Sequence, residues 1–207
     1  MSDYILTINF TDEQLNDIYN TDTRVILGKQ AGGGEPHVAW QSFNPFQSNQ
    51  VNWIEEYGIY VSNTQAQHGA ALTQLSSIPI GAATGKLYTL EPSGVISGPD
   101  TGGMANAFAL LNQYSNQDYI TVGLYQDAIV NGIEIIRNAV SAAPVLLAST
   151  TIMTPSITLY IWLQSQVTGN SVVTTVTSPM TELVFGGGIS QTSVSYDTQT
   201  GMFIIQS

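Results

Sequence analysis

Turn residues recur about every ten positions along this chain, and short runs of alternating apolar and polar side chains stand between them. That rhythm leaves little room for long helices or for the helical crossovers of a parallel sheet. It predicts an all-β fold: an antiparallel β-sandwich or jelly roll. A chain of 207 residues can bury a full core, and the expectation is a single domain over residues 1–207.

Tyr4–Phe10 alternates and reads as the opening strand. Val25–Leu27, His37–Phe43 and Val51–Val61 follow, separated by the loop Gly32, Gly33, Gly34 and by a turn at Asn44 and Pro45. Ile120–Val130 and Ile133–Arg137 flank Asn131 and Gly132, a pair that supplies the positive φ values of a type I′ hairpin turn. Ile157–Val167 and Val172–Thr177 flank Thr168–Ser171, and Ser193–Asp197 and Met202–Gln206 flank Thr198–Gly201. One short helix is expected near residues 12–19. Thr11 and Gln14 form a capping box, Phe10 and Leu15 occupy staple positions, and Leu15, Ile18 and Tyr19 share a face. Met104–Tyr114, rich in Ala and Leu, is a second helix candidate.

The formal net charge is −11, and the basic side chains are Arg24, Lys29, Lys86 and Arg137 alone. Neutralising phosphates needs clustered Lys and Arg, so nucleic acid is excluded as a partner, and anionic membranes would repel the chain. There are no cysteines, which removes disulfides and thiolate metal sites. The opening residues lack the basic region and apolar run of a signal peptide. The expectation is therefore a cytoplasmic protein or one exported without an amino-terminal signal.

Motifs for chemistry are sparse, and no cofactor, metal or catalytic residue is assigned. Asp100, Thr101 and Gly102 match the aspartic-protease triplet, but that chemistry needs two carboxylates sharing a proton, so a turn is the better reading. Glu55 and Glu56 are adjacent and would face opposite sides of a strand, one buried beside Trp53 or Tyr57 and the other solvated. Asp12, Asp17 and Asp22 fit no calcium loop. His37 and His68 form no ligand-spaced pair, and His37 reads as a strand-end residue with a local hydrogen bond. Gly32–Gly34 and Gly186–Gly188 precede no helix that could hold a phosphate. The Asn9, Phe10, Thr11 sequon is incidental without a secretory signal. A non-enzyme is expected.

The surface is unusual. Charged residues are only 9% of the chain, while Asn, Gln, Ser and Thr number 70 of 207. Ten tyrosines and three tryptophans accompany them, a mixture resembling that of antibody paratopes. Asn138–Thr181 holds 44 consecutive residues without a charge. Within it Ile157, Leu159, Ile161 and Leu163 point one way and Thr158, Tyr160 and Trp162 the other, so both faces of that strand want cover. Tyr160 and Trp162 are the candidate interaction residues.

Val38, Ala39, Trp40, Phe43, Pro45, Phe46, Val51, Trp53, Glu56, Tyr57, Gly58, Tyr60 and Ser62 form a block that resembles a segment of small acidic β-proteins of bacteria and fungi. That group has no assigned activity and is associated with a fungal protein that builds octahedral intracellular crystals. The resemblance spans under a quarter of the chain and carries no functional residue with it. It implies disulfide cross-links that this chain cannot form. The surface itself supports the expectation of a self-associating structural protein, forming a homo-oligomer, inclusion or ordered array. The alternative is a glycan- or membrane-binding module, including a pore-forming toxin-like protein.

Overall fold

The computed structural model describes residues 3–29 and 34–206. Gly32 and Gly33 of the expected glycine loop lie outside the described residues. The chain runs β1 (Asp3–Asn9), α1 (Asp12–Asn20), β2 (Thr23–Lys29), β3 (Val38–Ala39), β4 (Gln41–Phe43), β5 (Ser48–Ile54), β6 (Gly58–Ser62), β7 (Ser76–Ile78), β8 (Lys86–Leu90) and β9 (Ile96–Asp100). It continues through β10 (Phe108–Asn112), β11 (Tyr119–Val130), β12 (Ile133–Ala139), β13 (Ala143–Leu146), β14 (Thr150–Met153) and β15 (Thr158–Ser165). The last strands are β16 (Ser171–Val172), β17 (Thr181–Val184), β18 (Gln191–Asp197) and β19 (Met202–Ile205). The fold is all-β with one short helix among the described residues. No helix among them is long and apolar enough to cross a membrane.

A nine-stranded sheet has the order β19-β18-β1-β5-β11-β6-β7, with β12 and β13 both paired along the far side of the long β11. Two four-stranded sheets, β14-β10-β8-β9 and β17-β15-β2-β4, and a small β16-β3 pair complete the architecture. One apolar core is shared by all three larger sheets. Leu6, Val51, Ile59 and Val122 enter it from the large sheet, Leu90 and Leu110 from the second, and Leu27, Leu159 and Ile161 from the third.

Local chemistry explains the elements that were expected. β1 buries Tyr4, Leu6 and Ile8 and turns Asp3, Ile5, Thr7 and Asn9 outward, the alternation of a half-covered strand. At α1 the Thr11 hydroxyl accepts from Gln14 N and the Gln14 side chain accepts from Thr11 N, so the capping box closes. Leu15 and Ile18 point into the core. The turn between β11 and β12 places Asn131 at φ 51° and Gly132 at φ 81°, as a type I′ hairpin requires. β18 and β19 pair across Thr198–Gly201 as expected.

Four expectations are corrected. Phe108–Asn112 is a strand, not part of a second helix, because its backbone pairs with β8 and β14 while Phe108 and Leu110 enter the core, and that pairing overrides Ala and Leu propensity. The expected strand Val172–Thr177 is reduced to the short β16, Ser171–Val172, which pairs with β3 and not with β15. Val51–Val61 is broken at Glu55–Tyr57 into β5 and β6, and His37–Phe43 splits into β3 and β4. The all-β, mostly antiparallel architecture is as expected, with β1–β18 and β8–β10 as parallel pairs within it.

At the seam of β6 and β11 two glycines stand opposite two tyrosines: Gly58 faces Tyr125, and Gly123 faces Tyr60. The Tyr125 ring fills the space where a Gly58 Cβ would be, and a Gly123 Cβ would overlap the Ser141 carbonyl oxygen and crowd the Tyr60 ring. Each tyrosine then reaches a backbone acceptor, Tyr60 at Ser141 O (2.7 Å) and Tyr125 at Ile78 O (3.1 Å).

Candidate interaction surfaces

Tyr160 and Trp162, expected at an interface, are core residues with 9% and 0% of their surface exposed. The alternation of β15 was read correctly, but the cover comes from the chain itself. Leu159, Ile161 and Leu163 enter the shared core, while Tyr160 and Trp162 pack with Ile26, Ala39, Val167 and Val173 in a separate cluster. Trp162 Nε1 donates to Gln164 Oε1 at 2.9 Å, and the Tyr160 hydroxyl donates to Glu182 at 3.1 Å. Both polar tips are therefore occupied.

The residues set aside as chemistry fall in different places. Asp100, Thr101 and Gly102 lie exposed at the end of β9 and beyond it. His37 stands just before β3, as a strand-end residue should, but its partner is distant: its Nε2 lies 2.6 Å from the Ala142 carbonyl oxygen. Glu55 and Glu56 occupy the break between β5 and β6 rather than a strand.

Glu55 belongs to a cluster that sequence reading found only in part. Lys29, at the end of β2, is 2% exposed, and its ammonium meets Glu55 Oε2 at 2.8 Å and Oε1 at 3.1 Å. It donates a third bond to the Tyr57 hydroxyl at 3.3 Å. The rings of Trp40, Trp53 and Tyr57 surround it with centroids at 5.3, 5.3 and 5.4 Å, within cation–π range. Glu55 also accepts from Trp53 Nε1 at 3.0 Å and from the Tyr57 hydroxyl. Burial lowers the pKa of Lys29, and Glu55 opposes that shift by charge and by hydrogen bonding. Burial pushes the Tyr57 phenol well up, and the Glu55 charge adds to it. An ammonium with all three protons engaged is a buried structural ion rather than a poised nucleophile. Among the described residues no group of three or more His, Cys, Asp or Glu side chains is arranged to hold a metal ion.

Two surface features remain. The first is the sheet edge at β19. Native edges are blunted by charges and prolines. β9 carries Pro99 and Asp100, β12 Glu134 and Arg137, β13 Pro144 and β17 Glu182. β19 carries none, and neither do the edge strands β4, β7 and β14, but those three hold Gln, Ser or Thr side chains. β19 is wholly apolar: its residues are Met202, Phe203, Ile204 and Ile205, and all but Phe203 are exposed. Phe203 N–H donates to Thr181 Oγ1 at 2.8 Å, which ties β19 to β17, where Val184 is also exposed.

The second is an open groove of about 490 Å³ on the outer face of the large sheet. Register places Ile5, Asn52, Ile129 and Glu134 in one row across β1, β5, β11 and β12. Ile54 and Ile80 join the apolar lining, and Asp3, Glu56 and Asp127 join Glu134 among the acidic side chains. Among the described residues, no Lys, Arg or His lines the groove. Comparison with models of protein families, with curated proteins and with solved structures finds no match to this chain.

Proposed function

We propose that the chain is a non-enzymatic structural protein that associates with copies of itself through the β19 edge. The observation that carries this reading is the uncharged run Met202–Ile205, three of whose four side chains are exposed on a terminal strand. Two copies each bearing a charge of −11 repel wherever carboxylates meet, so the favourable approach is through a surface without charge. A two-fold contact would set Ile204, Ile205 and Met202 of one copy against the same residues of another and remove them from water. The membrane-directed alternative loses its motivating strand, because β15 is enclosed on both faces. A glycan-directed reading has one support. Exposed Phe46 lines a cleft of about 280 Å³ with Gln41, Asn44 and Asn138, the ring and amides that sugars use.

The experiment is multi-angle light scattering over a concentration series, comparing wild type with the double variant Ile204→Lys, Ile205→Glu. Net charge is unchanged by the pair, so general repulsion cannot account for a difference. The expected result is a concentration-dependent oligomer for wild type and at least about tenfold weaker association for the variant, since unpaired charges would be desolvated in the contact. A wild type that stays monomeric at millimolar concentration, or a variant that associates equally well, would overturn the proposal.

A further inference from the structure

We infer that the groove on the outer face of the large sheet is a docking site for a basic amphipathic peptide segment of another protein, in which Lys or Arg side chains alternate with apolar ones. Three observations converge on that occupant. Ile5, Ile54, Ile80 and Ile129 offer an apolar surface that a purely hydrophilic cation would leave unused. Asp3, Glu56, Asp127 and Glu134 surround the same space, and among the described residues the one ion pair is Lys29–Glu55, so none of the four has a salt-bridge partner there. A bound cation would supply the counter-charge that they lack. Asn52, also in the lining, has a side-chain Oδ1 shielded from water without a hydrogen-bond partner, and a rotation of that amide would let it accept from a peptide N–H or an ammonium.

The dimensions favour a peptide. Four neighbouring strands at about 4.8 Å spacing span roughly 14 Å, the length of about four extended residues at ~3.4 Å each. Alternation in such a segment sends successive side chains to opposite sides, so apolar and basic groups can meet the isoleucines and the carboxylates separately. Asp127 is held for this role, since its Oδ1 accepts from Arg137 N at 2.7 Å. The occupant is not a second copy. No two of Arg24, Lys29, Lys86 and Arg137 lie within four residues of one another, and Lys29 is buried. The strongly negative chain would also steer a cationic partner inward, with an association rate that falls as salt rises.

The test uses the full chain and a fluorescein-labelled hexapeptide of alternating Leu and Lys, titrated by anisotropy. Two control peptides replace every Lys by Glu or every Leu by Ser. The Leu–Lys peptide is expected to bind, and each control to bind at least about tenfold more weakly. Asp3→Asn with Glu134→Gln should weaken binding several-fold and flatten its salt dependence, whereas Ile54→Asn should weaken it at unchanged salt dependence. Asp12→Asn with Asp17→Asn, which makes the same change in net charge on α1, should leave it unaltered. Circular dichroism melts check that each variant is folded. Absence of binding overturns the inference. So does equal binding of the Leu→Ser peptide, or an equal loss on the α1 variant, since either reduces the effect to overall negative charge. Repeating the titration with the Ile204→Lys, Ile205→Glu variant separates this site from the β19 edge, because groove binding should persist there.

Discussion

An ammonium group has three protons, and Lys29 finds Glu55 Oε1, Glu55 Oε2 and the Tyr57 hydroxyl around it. Removing one partner leaves a charge unpaired in a ring of aromatic side chains, which is far worse than removing both. Glu55→Ala should cost about 3 kcal/mol in urea unfolding, the lower end for a broken buried pair because Glu55 itself is partly exposed. Lys29→Met combined with Glu55→Leu should lie closer to wild type, and a larger loss for the double variant would show that the pair, not its imbalance, stabilises the fold. The same site shapes the response to alkali. Burial raises the pKa of Tyr57 and of Tyr60, so the folded chain keeps both protons above pH 10.0, where the unfolded chain releases them. Their contribution is complete below that pH and is lost as pH climbs beyond it. Lys29 works oppositely, its lowered pKa making burial less costly as pH approaches 10.5. Two phenols against one amine predict a net fall in stability above pH 10.0, with phenolate absorbance from these tyrosines emerging together with unfolding. The sequence suggests that one of the two adjacent glutamates is buried beside Trp53 or Tyr57, and Glu55, partly exposed, bonds to both. Lys29 was invisible as its partner, since a contact across separate strands leaves no local pattern.

Elements whose cause is local were the legible ones. Thr11 and Gln14, Asn131 and Gly132, and the alternation of β1 each declare a structure within a few residues, and each forms. β10 and β16 are decided by what they pair with, β8 and β14 for one and β3 for the other, and those partners are remote in the chain or interchangeable in pattern. Tyr160 and Trp162 show the same limit: period-2 alternation says that a face needs cover but not whether a partner or the chain supplies it. Two substitutions weigh the local against the remote. Thr11→Ala should lower stability by about 1 kcal/mol through loss of the cap. Gly123→Ala should cost about 3 kcal/mol, because the new methyl meets backbone at Ser141 and the wedged Tyr60 ring, neither of which can move alone. Thermal melts of the two variants would reverse this ranking only if the β6–β11 seam were loosely packed.

At the scale of the whole molecule, a charge of −11 and an apolar edge act against each other. Salt screens the first and leaves the second, so sedimentation velocity should find the oligomer fraction rising between about 0.02 and 0.5 M sodium chloride. Groove occupancy by a basic peptide should move the opposite way over the same range, and two opposed salt responses in one protein would identify two separate surfaces. The joining of three sheets around one core was not legible in the sequence, because it rests on contacts between remote side chains, just as the large sheet itself rests on pairings such as β1 with β18 from opposite ends of the chain. The caged lysine has a practical corollary. Of the chain's two lysines, Lys86 is half-exposed and Lys29 is sealed. An acylating reagent should modify Lys86 at once and Lys29 at least about a thousandfold more slowly, only in molecules whose core has opened. Mass spectrometry of the two modified peptides then turns Lys86 into an internal clock against which spontaneous opening of the core is timed, in plain buffer and without denaturant.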